Sequence, residues 1–223
     1  MSDARLRELE RRWRESGSTE DEAAYLRERV RVGDLTQERL ELAAYCGNAA
    51  SIAALSKPVR RSEEVHAWIR DRIGSSVSEL SADTLGLVLG LESWGDTVLV
   101  RGLIAISEQA MLRDSDKRLV EAARAWCECP CAQHGTEMDE SLPRDVPLAT
   151  SLPIALGAFV SQSALGNERG QRRGSLRSLA VFALRAATGA HSLSESILSE
   201  TMKASLIAWA LTSEGRSSRA TGK

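Results

Sequence analysis

Residues 21–55 read DEAAYLRERVRVGDLTQERLELAAYCGNAASIAAL, and the punctuation of this stretch decides the fold. Just before it, Thr19 and Glu22 form a capping-box pattern that opens a helix to about Val32. Gly33 stands where a left-handed residue would end that helix. Thr36 is a good N-cap for the next one, with Gln37 and Glu38 in its first turn. Leu35 and Leu40 are spaced as a hydrophobic staple across that start. The helix carries Leu40, Leu42, Ala43 and Ala44 and stops near Gly47. Asn48 caps a short successor that ends before Pro58. Helix, tight turn, helix is the antiparallel hairpin unit of an all-α protein.

The same reading extends in both directions. Upstream, Leu6, Leu9 and Trp13 share one face of a helix from Asp3 to Ser16. Downstream, Ser62 starts a helix with Val65, Trp68, Ile69 and Ile73 on one stripe. The run SADTLGLVLGLES, residues 81–93, is apolar nearly all round. It reads as a buried helix, with a strand as the competing assignment. Gly86 and Gly90 on one of its faces would admit a neighbouring backbone. A helix follows Gly95 and Asp96 to about Arg113, the chain turns at Asp114 to Asp116, and Leu119, Val120, Ala123 and Trp126 mark the next helix. Cys129 to Thr150 contains Pro130, Pro143 and Pro147 and reads as a long loop. Helices resume at 151–165, 175–188 and 193–211, the last opened by a Ser192 and Glu195 capping box.

The expected fold class is therefore all-α: antiparallel helix hairpins in a compact helical domain or an irregular HEAT-like solenoid. The expected organisation is an N-terminal hairpin module at 1–57, a helical domain at 58–212 interrupted by the 129–150 loop, and a disordered tail at 213–223. Composition agrees, since aromatic residues make up only 4% of the 223 and strand-favouring types are sparse.

Residues 21–55 also resemble a helical module that recurs in otherwise unrelated, uncharacterised bacterial proteins. Tyr25, Leu26, Gly33, Asp34, Leu35, Thr36, Glu38, Leu40, Ala43, Ala44, Gly47 and Ala50 carry the resemblance. The piece EAARAWCECPCAQH, Glu121 to His134, is similar to a segment that accompanies the module. The Gly47-Asn48 turn looks like the hairpin turn of Sel1-type repeats. The resemblance implies helix hairpins and no activity.

A net charge of −2 gives no global attraction to nucleic acid or to a membrane surface. No apolar run reaches the roughly 18 to 20 residues of a membrane span. The N-terminus is charged from its start, so no secretory signal is expected. Three of the four cysteines fall within five residues, unlike a disulfide framework, and a reducing cytoplasm is the expected compartment.

Cys127, Cys129, Cys131 and His134 are the one local cluster with ligand chemistry. Zinc takes four thiolate or imidazole ligands tetrahedrally. An extended chain around Pro130 would point Cys129 and Cys131 the same way, with His134 reached after a turn and Cys127 supplied by the last helical turn. The spacing is tighter than the usual zinc motifs, so packing of Cys127 in a core, with the others at a loop base, competes with metal or redox chemistry. Carboxylate pairs such as Asp114 and Asp116, or Asp139 and Glu140, read as solvated turn charges. His66 and His191 read as ordinary surface or capping residues. Arg169, Arg172, Arg173 and Arg177, with Arg185 beyond, concentrate positive charge that suits an anion, an acidic partner surface or, weakly, nucleic acid. Trp13 is a candidate interface anchor, while Trp68, Trp94 and Trp126 are expected in the core.

No nucleophile, phosphate-loop or dinucleotide motif is present. The expectation is a noncatalytic protein-interaction module, a scaffold, adaptor or immunity-type binder. The alternatives are a metal-binding or redox-responsive protein built on Cys127 to His134, or a weak nucleic-acid binder. Zinc is the only cofactor the residues suggest, and the partner and oligomeric state stay open.

Overall fold

A computed structural model describes residues 2–56, 81–109, 114–143, 152–165, 179–181, 183–189 and 192–212. All regular structure among these residues is helical. The chain divides into two compact units: Met1–Arg60 with Leu206–Lys223, and Arg61–Ser205.

The first unit holds α1 (Ser2–Ser16), α2 (Thr19–Val32), α3 (Gln37–Tyr45) and α4 (Ala49–Ala54). Ser18, one residue earlier than expected, caps α2 by accepting from the Asp21 amide at 3.1 Å. Gly17, at φ +62°, turns the chain so that Ser18 is already extended, and Thr19 falls inside the helix. Gly33 ends α2 at φ 79°, a conformation that costs a side-chain-bearing residue most. Thr36 and Asn48 cap α3 and α4 as expected, accepting from the Arg39 and Ser51 amides. Leu35 and Leu40, each 2% exposed, join Ala23, Leu26, Ala50 and Ala54 in one core. Full burial of each leucine stabilises the unit by about 1.5–3 kcal/mol. Leu211 packs on this core, and Arg39 lies over the Trp209 ring at 4.8 Å.

That last contact lies within the first compact unit. Local spacing groups residues 206–212 with the preceding helices, and in the structure they fall in the unit of the N-terminal helices. Their helix spans both units in sequence, and caps and periodicity do not say which core each turn joins.

The second unit begins, among described residues, with α5 (Ala82–Gly90), a 3-10 turn (Leu91–Trp94) and α6 (Asp96–Ser107). It continues with α7 (Asp114–Glu128), α8 (Ala132–Ser141) and α9 (Leu152–Leu165). Residues 179–181 and 183–189 are helical, and α10 (Glu195–Leu211) starts here. Helix α9 packs on α6, α7 and α8. Its Leu152, Ala155, Leu156, Phe159 and Val160 are buried with Leu103, Ile106 and Met138.

Residues 82–90 are helical, so the competing strand assignment falls. A side-chain carbon at Gly86 would meet nothing within 4 Å. A close approach occurs at Gly135, where an added carbon overlaps the Ala164 side chain of α9. That packing sits on α8, inside the segment expected to be a long loop. The 129–150 loop is thus corrected to a helix at Ala132–Ser141, which buries Gly135 and Met138. Asp139 lies on it and accepts from Ser161 at 2.7 Å, and Asp116 is buried in the first turn of α7. Asp116 is thus not the solvated turn charge that its spacing suggests, whereas Asp114 and Asp139 are exposed but lie on helices rather than in turns. Trp126 is buried as expected, and Trp94 is half-buried.

The Ser192 and Glu195 capping box does not form. Ser194 accepts from the Ile197 amide instead, and Glu195 reaches the start of α5. Its carboxylate accepts from the Ser81 amide at 3.0 Å, the Ser81 hydroxyl at 2.6 Å and the Thr84 hydroxyl at 2.7 Å. These donors hold the Glu195 carboxyl below its ordinary 4.5. Glu195→Gln is expected to cost about 1–2 kcal/mol at neutral pH, a charged-acceptor contribution discounted for partial exposure. A depressed folded-state value stabilises above pH 4.5 and is lost as pH falls through the lowered value. Urea titrations at pH 7 and in acid should therefore show the gap between the two proteins closing in acid.

The expected Ser62 helix with His66 and Trp68, the arginines 169, 172, 173 and 177, His191 and the 213–223 tail lie outside the described residues. No described helix is long and apolar enough to cross a membrane.

Candidate thiolate and imidazole site

Helix α7 buries Leu119, Val120, Ala123, Trp126 and Cys127 on one face. Its last turn closes with the Cys129 amide donating to Ala125 O at 3.1 Å. Pro130 cannot donate, and it disfavours helical geometry at the residue before it. The chain therefore leaves the helix at Cys129. The Cys131 amide donates to Cys129 O at 2.8 Å, and Cys131 is extended at φ −115°, ψ 162° as the N-cap of α8.

Cys131 makes no side-chain capping bond. Its sulfur lies 3.4 Å from Nδ1 of His134. His134 is the third residue of α8, and side chains at that position fold back towards the N-cap. The imidazole does so, with Nδ1 also 2.9 Å from Cys129 O. Ligand atoms of Cys129, Cys131 and His134 all lie within 4.8 Å of one another. Cys129 is exposed, and Cys131 and His134 are half-buried.

The structure thus brings together three of the four sequence candidates. Cys127 is not among them. It is 7% exposed, its thiol donates to Thr97 O at 3.7 Å, and burial pushes it up to about 11. One residue of helix separates its direction from that of Cys129. The core-packing reading of Cys127 is the one the geometry matches.

Electrostatics differ across the trio. The His134 backbone amide holds the Cys131 thiol below its ordinary 9.0, helped by the Cys129 thiol. Cys129 is raised because it donates to Cys131. His134 is raised above 6.5, first by the Cys129 carbonyl and then by the negative charge of Cys131 and Glu137. Native protein should therefore take up iodoacetamide at Cys129 and Cys131. Cys46 and Cys127, at 2% and 7% exposure, should react only in denaturant. Peptide mass spectrometry reads this directly.

Sequence reasoning missed the helix that aims His134. Gly135, Met138 and Leu142 recur at spacings of three and four, the signal that would have found it. Trp13 is half-buried and stacks on Tyr25, with centroids 5.3 Å apart. Arg185 is half-buried on the 183–189 helix. The chain matches no family model, no curated protein and no solved structure.

Proposed function

We propose that this is a noncatalytic metal-binding helical protein that holds one thiophilic cation on Cys129, Cys131 and His134. The observation supporting it is the convergence of two sulfurs and an imidazole nitrogen within 4.8 Å. Metal bonds of about 2.3 Å to sulfur and about 2.0–2.1 Å to nitrogen set neighbouring donors about 3.5 Å apart. The 3.4 Å between Cys131 Sγ and His134 Nδ1 matches that spacing. Zinc and monovalent copper are the ions such donors favour. The thiols must be reduced to serve, which a cytoplasmic setting provides.

The test is elemental analysis of full-length reduced protein after exposure to each metal and desalting. One equivalent per chain is expected, lost in Cys129→Ser/Cys131→Ser. Equal metal content in the variant, or none in either protein, overturns the reading.

A scaffold, adaptor or immunity-type binder of another protein is the broader reading. It rests on the hairpin frame and on Ile52, which is 54% exposed on α4. A single exposed apolar side chain is ordinary on a soluble surface, so this reading ranks second. Native pull-down with Ile52→Glu tests it: a partner captured equally by both proteins removes Ile52 from the interface.

A further inference from the structure

We infer that the ion taken by Cys129, Cys131 and His134 is monovalent copper, held three-coordinate, rather than zinc. This rests on the metal-binding reading above and narrows it. The first argument is donor number. Structural zinc takes four protein ligands, and zinc on three must recruit a water as the fourth. The cluster among described residues contains three. Cys127 is the nearest sulfur in sequence, and it is committed to the opposite direction, buried and bonded to Thr97 O. Bringing it in would unwind the end of α7 and strip Arg101 of its bond to Cys127 O. A monovalent d10 ion needs no fourth donor, because two thiolates and one imidazole already complete a trigonal set.

The second argument is softness. Two of the three donors are sulfur, a soft set that suits monovalent copper as well as zinc and disfavours harder ions. The third is charge and place. Binding releases the two thiol protons, so two thiolates and one monovalent cation leave a net charge of −1. That charge sits at the N-terminus of the ten-residue α8, where the helix dipole favours an anion. A divalent ion on the same ligands would be neutral and would forgo this. The fourth is access. Cys129 is exposed and only Pro130 separates the two cysteines, so the ion is open to exchange with another thiol carrier.

His134 Nδ1 must give up its contact with Cys129 O to bind. The histidine is therefore the weaker anchor, and the two sulfurs alone still hold the ion. His134→Gln should lower copper affinity by about 10- to 100-fold, and either Cys→Ser change should lower it further.

The experiment titrates full-length reduced protein anaerobically with copper(I) buffered by bathocuproine disulfonate. A parallel titration uses zinc with a chromophoric zinc chelator. Expected are one copper(I) per chain, not displaced by equimolar zinc, and an X-ray absorption spectrum of two sulfurs and one nitrogen. Zinc held at one per chain and displacing copper overturns this inference while leaving metal binding intact. Neither metal retained beyond Cys129→Ser/Cys131→Ser overturns both. Circular dichroism of the variants separates lost ligands from a lost fold, and His134→Gln supplies the graded response that misfolding would not.

Discussion

Gly135→Ala is expected to destabilise the protein by about 3 kcal/mol, at the upper end of overpacking costs. The added carbon would overlap the side-chain carbon of Ala164, with the Ala164 Cα only 3.5 Å away. Neither atom sits on a flexible side chain, so α8 must lift from α9 as a body. Better helix propensity returns only about 1 kcal/mol. Gly86→Ala is the internal control, because its added carbon meets nothing within 4 Å. That change should stabilise by about 0.5–1 kcal/mol. Urea unfolding of the two variants should move in opposite directions. Combining Gly135→Ala with Ala164→Gly should restore much of the loss, since the two side chains share one space. A Gly135→Ala protein as stable as the parent would mean that α8 does not pack here. It would also remove the element that aims His134 at Cys131.

The second large effect is expected at Arg29. Its side chain is 5% exposed and pairs with Asp34 at 2.7 Å. Its Nη1 donates to Leu211 O at 2.7 Å, satisfying a carbonyl at the end of α10, and its guanidinium lies 5.7 Å from the Tyr25 ring centre. Arg29→Ala should cost about 2–3 kcal/mol. Breaking a buried charge pair costs about 3–5 kcal/mol, reduced here because Asp34 is 34% exposed and can rehydrate. Arg29→Lys should recover little, because one ammonium cannot serve the carboxylate and the carbonyl in the fork geometry that a guanidinium allows. Full stability in Arg29→Lys would show that charge alone, and not the two-directional donor, matters at this position.

Much of this architecture was legible locally. Thr36, Asn48 and Gly33 specify their helix ends because caps act within one turn and depend on few neighbours. The Leu35 and Leu40 staple was readable for the same reason. The errors fell where a distant segment supplied the partner. The spacing of Glu195 suggests a cap on its own helix, yet the amide and hydroxyls it binds are more than a hundred residues away in sequence. Asp139 is exposed as its spacing suggests, but its helical setting and its donor Ser161, across a helix pair, are not local. The three prolines of residues 129–150 suggest a loop, although none of them falls within Ala132–Ser141.

The candidate site divides in the same way. The residue types and the Cys-Pro-Cys spacing were visible as a cluster, and Pro130 predicted the break that releases Cys129 from α7. Which three of the four groups converge was not visible. That outcome depends on α8 being seated on α9 through Gly135, and on Cys127 lying on the buried face of α7.

From its residues alone, this chain was committed to helices, to most of the places where the early ones start and stop, and to one cluster of soft ligands. Those outcomes follow from backbone hydrogen bonds and side-chain periodicity, which act over a few positions. Only the tertiary structure decided that residues 206–212 join the N-terminal core, that 132–141 is a helix, and that His134 rather than Cys127 joins the two exposed-side thiols. Each of these depends on burial against residues far away in sequence, and that free energy exists only once the helices are packed.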